Sequence, residues 1–309
     1  MIGEYYAGCF GYADDLIFLC PSRKGLQEML GVAESYVKEH SITFSTNEDA
    51  MKSKSKGIIF SSRPLKTEPE KLKLNGNPLP WVSNAKYLGN DLEAAPIGLY
   101  RDVKVKRAKY IERNMDLIQE FPLAHPDLKC KINRIYNSSF NGSVLYDIFS
   151  QPVRQLINSW SVSVRQMWDL PFNSHKYCIE ALGGTHAHTM FVSRFVSFIQ
   201  NARKSGKLAV QLMLAKVLDN VNTITGKNLA HIQDLIGSKN DILNISSTEL
   251  KKRVTFCNLD QKDSWRVGLI REITDIKHNI LQFQTPDGSE DSFSTNDQLS
   301  DIVNIASTA

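Results

Sequence analysis

Cysteine is sparse and unpatterned. The five residues Cys9, Cys20, Cys130, Cys178 and Cys257 are odd in number, far apart, and form no C-x-x-C. That argues against a disulfide framework or a zinc knuckle and sets a reducing compartment as the default. Cys178 followed by His186 and His188 lacks a fourth ligand and Cys–Cys spacing, so an ordinary structural role outweighs a metal site there. Long apolar runs are missing too, none approaching the roughly 18 residues of a membrane span. Met1-Ile2-Gly3-Glu4 offers neither a basic n-region nor an apolar h-region. A soluble chain with no leader and no membrane partner is the expectation. Internal repeats and coiled-coil heptads are absent as well.

Strong net charge is also lacking, at +4 over 309 residues. The charge is nevertheless uneven. Lys52 to Lys73 holds seven Lys or Arg against Glu68 and Glu70, a balance of +5. Arg101 to Arg134 holds nine Lys or Arg against five acids, a balance of +4. From Thr285 onward Asp287, Glu290, Asp291, Asp297 and Asp301 meet no base, a balance of −5. The middle therefore suits a polyanion, and the end reads as a solvated, disordered tail. A hydrophobic content of 42% is ample for a buried core in one or two domains.

The stretch on which the rest hangs is Tyr12-Ala13-Asp14-Asp15, between Cys9-Phe10-Gly11 and Leu16-Ile17-Phe18-Leu19-Cys20. Strand-forming runs on both sides predict a β-hairpin with the acids at its tip, its strands spanning 5–11 and 16–20. Neighbouring strand residues point to opposite faces, so two adjacent acids act together only where a turn re-aims them. Mg²⁺ takes oxygen ligands, and one or two carboxylates with substrate phosphates suffice to hold it. A doublet buried between Phe10 and the following apolar strand needs such a partner.

Leu26, Leu30, Ala33 and Val37 then recur at helical spacing, predicting an amphipathic helix to Glu39 after the Pro21–Gly25 break. Short strands are expected at 42–44 and 57–60. Asn75-Gly76 predicts a type I′ hairpin within 72–82, and 85–89 reads as a closing strand. Pro96-Ile97-Gly98 marks a boundary, beyond which helices are expected at 103–121, 128–136, 145–150, 153–168, 189–201 and 207–219. Trp160, Val164 and Trp168 share one face with Leu156, the pattern of a bundle core. The fold class is α+β.

Gly11 to Ile17 resembles the catalytic C motif of reverse transcriptases, and the longer context is similar to LINE-type (non-LTR) retrotransposon enzymes. The matching features are Gly-Tyr-Ala-Asp-Asp-Leu-Ile at 11–17, Asn47 with Lys52, Lys54 and Lys56 before the strand from Gly57, Lys86-Tyr87-Leu88-Gly89, and Trp160…Trp168. Their order and spacing make the match. The resemblance implies an RNA-directed DNA polymerase, a nucleotidyltransferase using Mg²⁺ or Mn²⁺, an RNA template, a DNA primer and dNTP, in the nucleus or cytoplasm. It implies a partial palm over 1–95, a helical thumb over 96–170, a helical C-terminal region over 171–284 and an acidic tail over 285–309. Asp14 is then the metal ligand and Asp15 its more peripheral partner, both catalytic. Tyr12 abuts the primer end, and one of Lys52, Lys54 and Lys56 faces the leaving pyrophosphate. The 72–89 region, with Tyr87, Leu88 and Gly89, grips the primer terminus. The thumb helix with Arg101, Lys104, Lys106, Arg107, Lys109 and Arg113 tracks duplex phosphates.

One departure bears on activity. The family's first carboxylate strand, B motif and fingers lie upstream of this hairpin, which here begins within a dozen residues of Met1. With two of three carboxylates, the chain alone is expected to be inactive in polymerisation. The alternative reading is a non-catalytic module that binds RNA or DNA.

Overall fold

The computed structural model describes residues 8–61, 67, 69–94, 100–138, 140–174, 176–218, 220–237 and 239–258. The expected strand residues 5–7, the Pro96–Gly98 boundary and the acidic tail lie outside them. The architecture is α+β, dominated by helix, with three separate two-stranded antiparallel sheets among the described residues. Contacts divide the chain into two compact units, Met1–Asp102 with Ala202–Asp219, and Val103–Asn201 with Asn220–Ala309.

In the first unit, β1 (Cys9–Tyr12) pairs with β2 (Asp15–Phe18), and α1 (Arg23–Glu39) follows. Ser22 starts α1, its Oγ accepting the Gly25 N–H at 3.1 Å. At the other end Ser41, at φ +55, takes the place usually held by glycine. The Ile42 N–H bonds Val37 O and the Ser41 N–H bonds Lys38 O, the pairing of a Schellman cap. The buried side of α1 carries Leu30, which joins Leu72, Leu74 and Leu79, with Phe18, Leu26, Phe44 and Trp81 packed around them. β3 (Lys73–Leu74) and β4 (Asn77–Pro78) form the hairpin that supplies these leucines. Its turn is the one Asn75-Gly76 predicts, with φ of +53 and +76. Gln27 locks α1 to β3, donating to Lys73 O at 2.9 Å and accepting its N–H at 2.7 Å.

The strands expected at 42–44 and 57–60 do not form. Around 44–46 a backbone bond, Ser55 N–H to Ser45 O at 3.3 Å, is joined by side-chain bonds from Asn75 Nδ2 to Phe44 O at 3.3 Å and from Asn77 Nδ2 to Thr46 Oγ1 at 3.0 Å. From Gly57 only a single parallel bridge to Trp81 is made. In this parallel register residues 58–60 would run beside 82–84, and from Asn84 that segment pairs with Glu93 in a hairpin of its own. Gly57 lies beneath the Trp81 ring, where an added Cβ would meet Cζ3 at 2.5 Å. Gly57→Ala is therefore expected to destabilise the unit by about 1–3 kcal/mol, through ring displacement, as read from a urea midpoint.

β5 (Asn84–Tyr87) pairs with β6 (Asn90–Glu93). Here too the structure corrects an expectation, because Leu88 and Gly89 are turn residues at φ +46 and +78 rather than strand. The N-terminus of α2 (Tyr100–Glu120) is tied to β6. The buried Asp102 accepts the Asp91 N–H at 2.9 Å, and Glu93 accepts the Arg101 N–H at 3.3 Å.

The second unit is helical. It contains α2 from Val103, α3 (Pro126–Ile132), α4 (Gln151–Met167), α5 (Lys176–Gly183), α6 (Ala187–Lys204) to Asn201, α8 (Ile224–Ile236), α9 (Lys239–Asn244) and α10 (Ser247–Asn258); α7 (Leu208–Leu218) belongs to the first unit. Leu156, Trp160 and Val164 of α4 are buried as their spacing predicts, in a unit that also buries Phe191, Phe195, Cys130 and Cys178. Trp168, expected on the same face, instead lies just past the end of α4 and is half-buried. Glycine at 183 is obligatory, since a Cβ would stand 2.7 Å from Val164 Cγ2 and 2.9 Å from Trp160 Cη2.

The helix expected over 128–136 divides. α3 ends at Ile132, and Asn133–Asn137 is a π-helical turn. The expected helix at 145–150 is a 3₁₀ turn over Ser143–Leu145 followed by a loop. Long-range side chains set that loop. Asn228 accepts the Ile148 N–H at 3.0 Å and donates to Tyr146 O at 2.7 Å, while Lys227 meets Asp147 Oδ2 at 2.6 Å. Burial pushes the Tyr110 phenol and the Cys178 thiol up and the His188 imidazole down. No helix among the described residues is long and apolar enough to cross a membrane.

Candidate functional site

The β1–β2 register sets Cys9 against Phe18, Phe10 against Ile17, Gly11 against Leu16 and Tyr12 against Asp15. Ala13 and Asp14 are left as the two-residue turn, with Ala13 at φ +54, the sign that the first position of a type II′ turn requires. An L-residue there stores about 1–2 kcal/mol that glycine would not. Cross-strand pairs share a face, so Phe10, Tyr12, Asp15 and Ile17 lie together. The opposite face carries Phe18, which packs into the α1 core.

The first of these faces is open. Tyr12 is 66% exposed and Phe10 43%, and both Asp14 and Asp15 are exposed. This corrects the expectation of a buried doublet: the two-stranded sheet reaches the α1 core through Phe18, while Cys9, Gly11 and Leu16 on that same side are exposed as well. Asp14 stands in the turn and Asp15 in the strand beside Tyr12, so the turn separates the two acids by a single step. As donors they fit a hard cation, being unhindered oxygen ligands on consecutive residues. Among the described residues no group of three His, Cys, Asp or Glu side chains comes together to hold a metal.

Lys52, Lys54 and Lys56 are exposed on a loop that is itself well held. Asn47 Oδ1 accepts the Asp49 N–H and Asp49 Oδ1 the Met51 N–H, each at 2.9 Å. The buried Ser53 donates to Ser55 O at 2.6 Å and accepts the Asn47 N–H at 3.2 Å. Lys52 comes within 4.0 Å of Asp49, an exposed pair of little energetic weight. Tyr87 is half-buried at the end of β5, while Leu88 and Gly89 are exposed at the tip beyond it.

On α2 the six basic residues separate into two groups. Lys106 donates to Asn141 O and lies 5.8 Å over the Tyr146 ring, and Arg107 Nε donates to Ser159 Oγ at 2.8 Å. These two are committed to packing. Arg101, Lys104, Lys109 and Arg113 are exposed and flank, on both sides, the buried stripe of Val103, Tyr110, Asn114 and Leu117. Charge counting missed this division because it depends on which way each stem bends over its neighbours. Asp116 and Glu120 follow on the exposed side, so the cationic stretch ends at Arg113. Compared with known protein families and with curated proteins, the chain finds no match in either.

Proposed function

We propose that this chain carries the metal-holding hairpin and the primer-side surfaces of a reverse-transcriptase-type polymerase, similar to those of LINE-type elements. The observation that carries the reading is the Ala13–Asp14 turn, which presents two exposed acids at a hairpin tip beside the exposed Tyr12. The supporting resemblance is the order of segments along the chain. The reaction joins a primer 3′-hydroxyl oxygen to the α-phosphorus of a dNTP and releases pyrophosphate. Asp14, with Asp15 as the more peripheral partner, would hold Mg²⁺ or Mn²⁺, which would supply charge stabilisation for that displacement. Tyr12 offers its ring to the terminal base pair. Lys52, Lys54 and Lys56 offer ammonium groups to the departing pyrophosphate. Arg101, Lys104, Lys109 and Arg113 hold the duplex through its phosphates, with an affinity that falls as salt rises. Further carboxylate ligation comes from outside the described residues.

A second reading, binding without catalysis, rests on the exposed α2 cations Lys104, Lys109 and Arg113, which contact phosphates without any metal. One titration series addresses both. Fluorescence anisotropy of an RNA–DNA duplex is expected to show a steep fall of affinity with salt. The combined substitutions Lys104→Ala, Lys109→Ala and Arg113→Ala are expected to reduce the log–log slope by about three. An unchanged slope removes α2 from the interface. Strong binding with no Mn²⁺ site at Asp14 supports the second reading over the first.

A further inference from the structure

We infer that the π-helical turn Asn133–Asn137 is a contact for single-stranded nucleic acid, Arg134 taking a phosphate and Tyr136 a base. The inference rests on the polynucleotide reading above and extends it to a second place in the chain. A π turn is rare and is frequently found at functional sites. Here it is held rigidly from below. Asn133, buried, donates from Nδ2 to the Tyr110 hydroxyl at 3.0 Å. The turn closes with the Ser138 N–H on Asn133 O at 2.9 Å, and Ser138 O accepts Arg194 Nη2 at 3.2 Å.

What this scaffold displays is unusual for a helix end. Arg134, Ile135 and Tyr136 are exposed in succession, Ile135 by 63% and Tyr136 by 69%. Four arginines of the unit spend an N–H on an internal acceptor: Arg107 on Ser159, Arg154 on Phe149 O, Arg165 on Ser174 O and Arg194 on Ser138 O. Arg134, like Arg113, has no acceptor among the described residues. It rests against Gly184 (φ +84), where an added Cβ would stand 3.0 Å from Nη1. The guanidinium is thus positioned with its donors unspent. Nearby charge favours an anion, because Asp127 is taken by Lys131 at 2.9 Å and Lys129 lies buried against Pro122 O. A free guanidinium, an exposed phenol ring and an apolar side chain between them match a phosphodiester strand with unpaired bases, since stacking tolerates any base. An acidic peptide would use Arg134 but gives the ring no matching face.

The test uses the full chain with fluorescein-labelled oligo(U) and oligo(dT), alongside an RNA–DNA duplex. Tyr136→Ala is expected to weaken both single strands about tenfold while leaving duplex affinity unchanged. Tyr136→Trp is expected to restore them, and Arg134→Gln to lower the salt slope by about one. Parent-like oligo(U) affinity in Tyr136→Ala, or no rescue by Trp, overturns the inference while duplex binding through α2 still stands. If the parent binds neither strand nor duplex, the polynucleotide reading fails with it. Self-association lost in Tyr136→Ala with oligonucleotide binding intact assigns the turn to a second copy of the chain and also overturns it.

Discussion

Asp14→Asn is expected to lower primer extension on the order of 10³-fold, measured with a fingers–palm fragment supplied in trans. The substitution keeps size and hydrogen-bonding reach and removes one negative charge, so the loss isolates cation binding. A catalytic cation contributes several kcal/mol to stabilising the transition state, and about 4 kcal/mol corresponds to that factor. Asp15→Asn is expected to cost less, because Asp15 belongs to the strand rather than the turn. A direct readout accompanies the rate. Mn²⁺ titrated into the chain and followed by electron paramagnetic resonance should show a site in the parent that Asp14→Asn weakens. Extension at the parent rate in Asp14→Asn removes the metal role from the hairpin.

The second large effect is on stability. Asn228→Leu is expected to cost about 3 kcal/mol, read as a shift of the urea midpoint. Asn228 is fully buried and serves both a donor and an acceptor of the 146–148 backbone, some eighty residues away in sequence. Leucine fills the volume but leaves the Ile148 N–H and the Tyr146 carbonyl without their partner, and an unsatisfied buried polar group costs about 1–3 kcal/mol. Tyr146 itself packs edge-on against Phe191, so the displaced loop would loosen α6 as well. A midpoint within error of the parent would mean that the loop finds other partners.

The parts legible in the sequence are those set by neighbouring residues. The Asp hairpin, the Asn75-Gly76 turn, α1 after Ser22 and the Leu156–Trp160–Val164 stripe each rest on contacts or dihedrals a few residues apart. They form where their patterns place them, although Asp15 falls in the strand and Trp168 past the end of α4. The failures have a common cause in distant partners. The segment at 42–44 matches a strand, but Phe44 O is taken by the Asn75 side chain, and 57–60 would run beside a segment that from Asn84 pairs with Glu93 instead. Leu88 in a left-handed turn contradicts its own preference, so no local rule finds it. The π turn adds one residue to a helical pattern that otherwise continues. For the candidate site, residue identity was legible and solvent exposure was not. Nothing in the spacing of Lys106 and Arg107 shows that both bend inward while Lys104 and Lys109 stay out.

The distribution of thiols gives the acidic hairpin a built-in probe. Cys9, in β1, is exposed, Cys20 is half-buried, and Cys130 and Cys178 are buried. Burial also holds the Cys178 thiol in its unreactive protonated form at neutral pH. A maleimide dye added briefly to the native chain will therefore modify Cys9 ahead of these other three. With Cys257 replaced by Ser, the label then sits on the strand that leads into Ala13 and Asp14, where its emission would report the cation or primer binding proposed above.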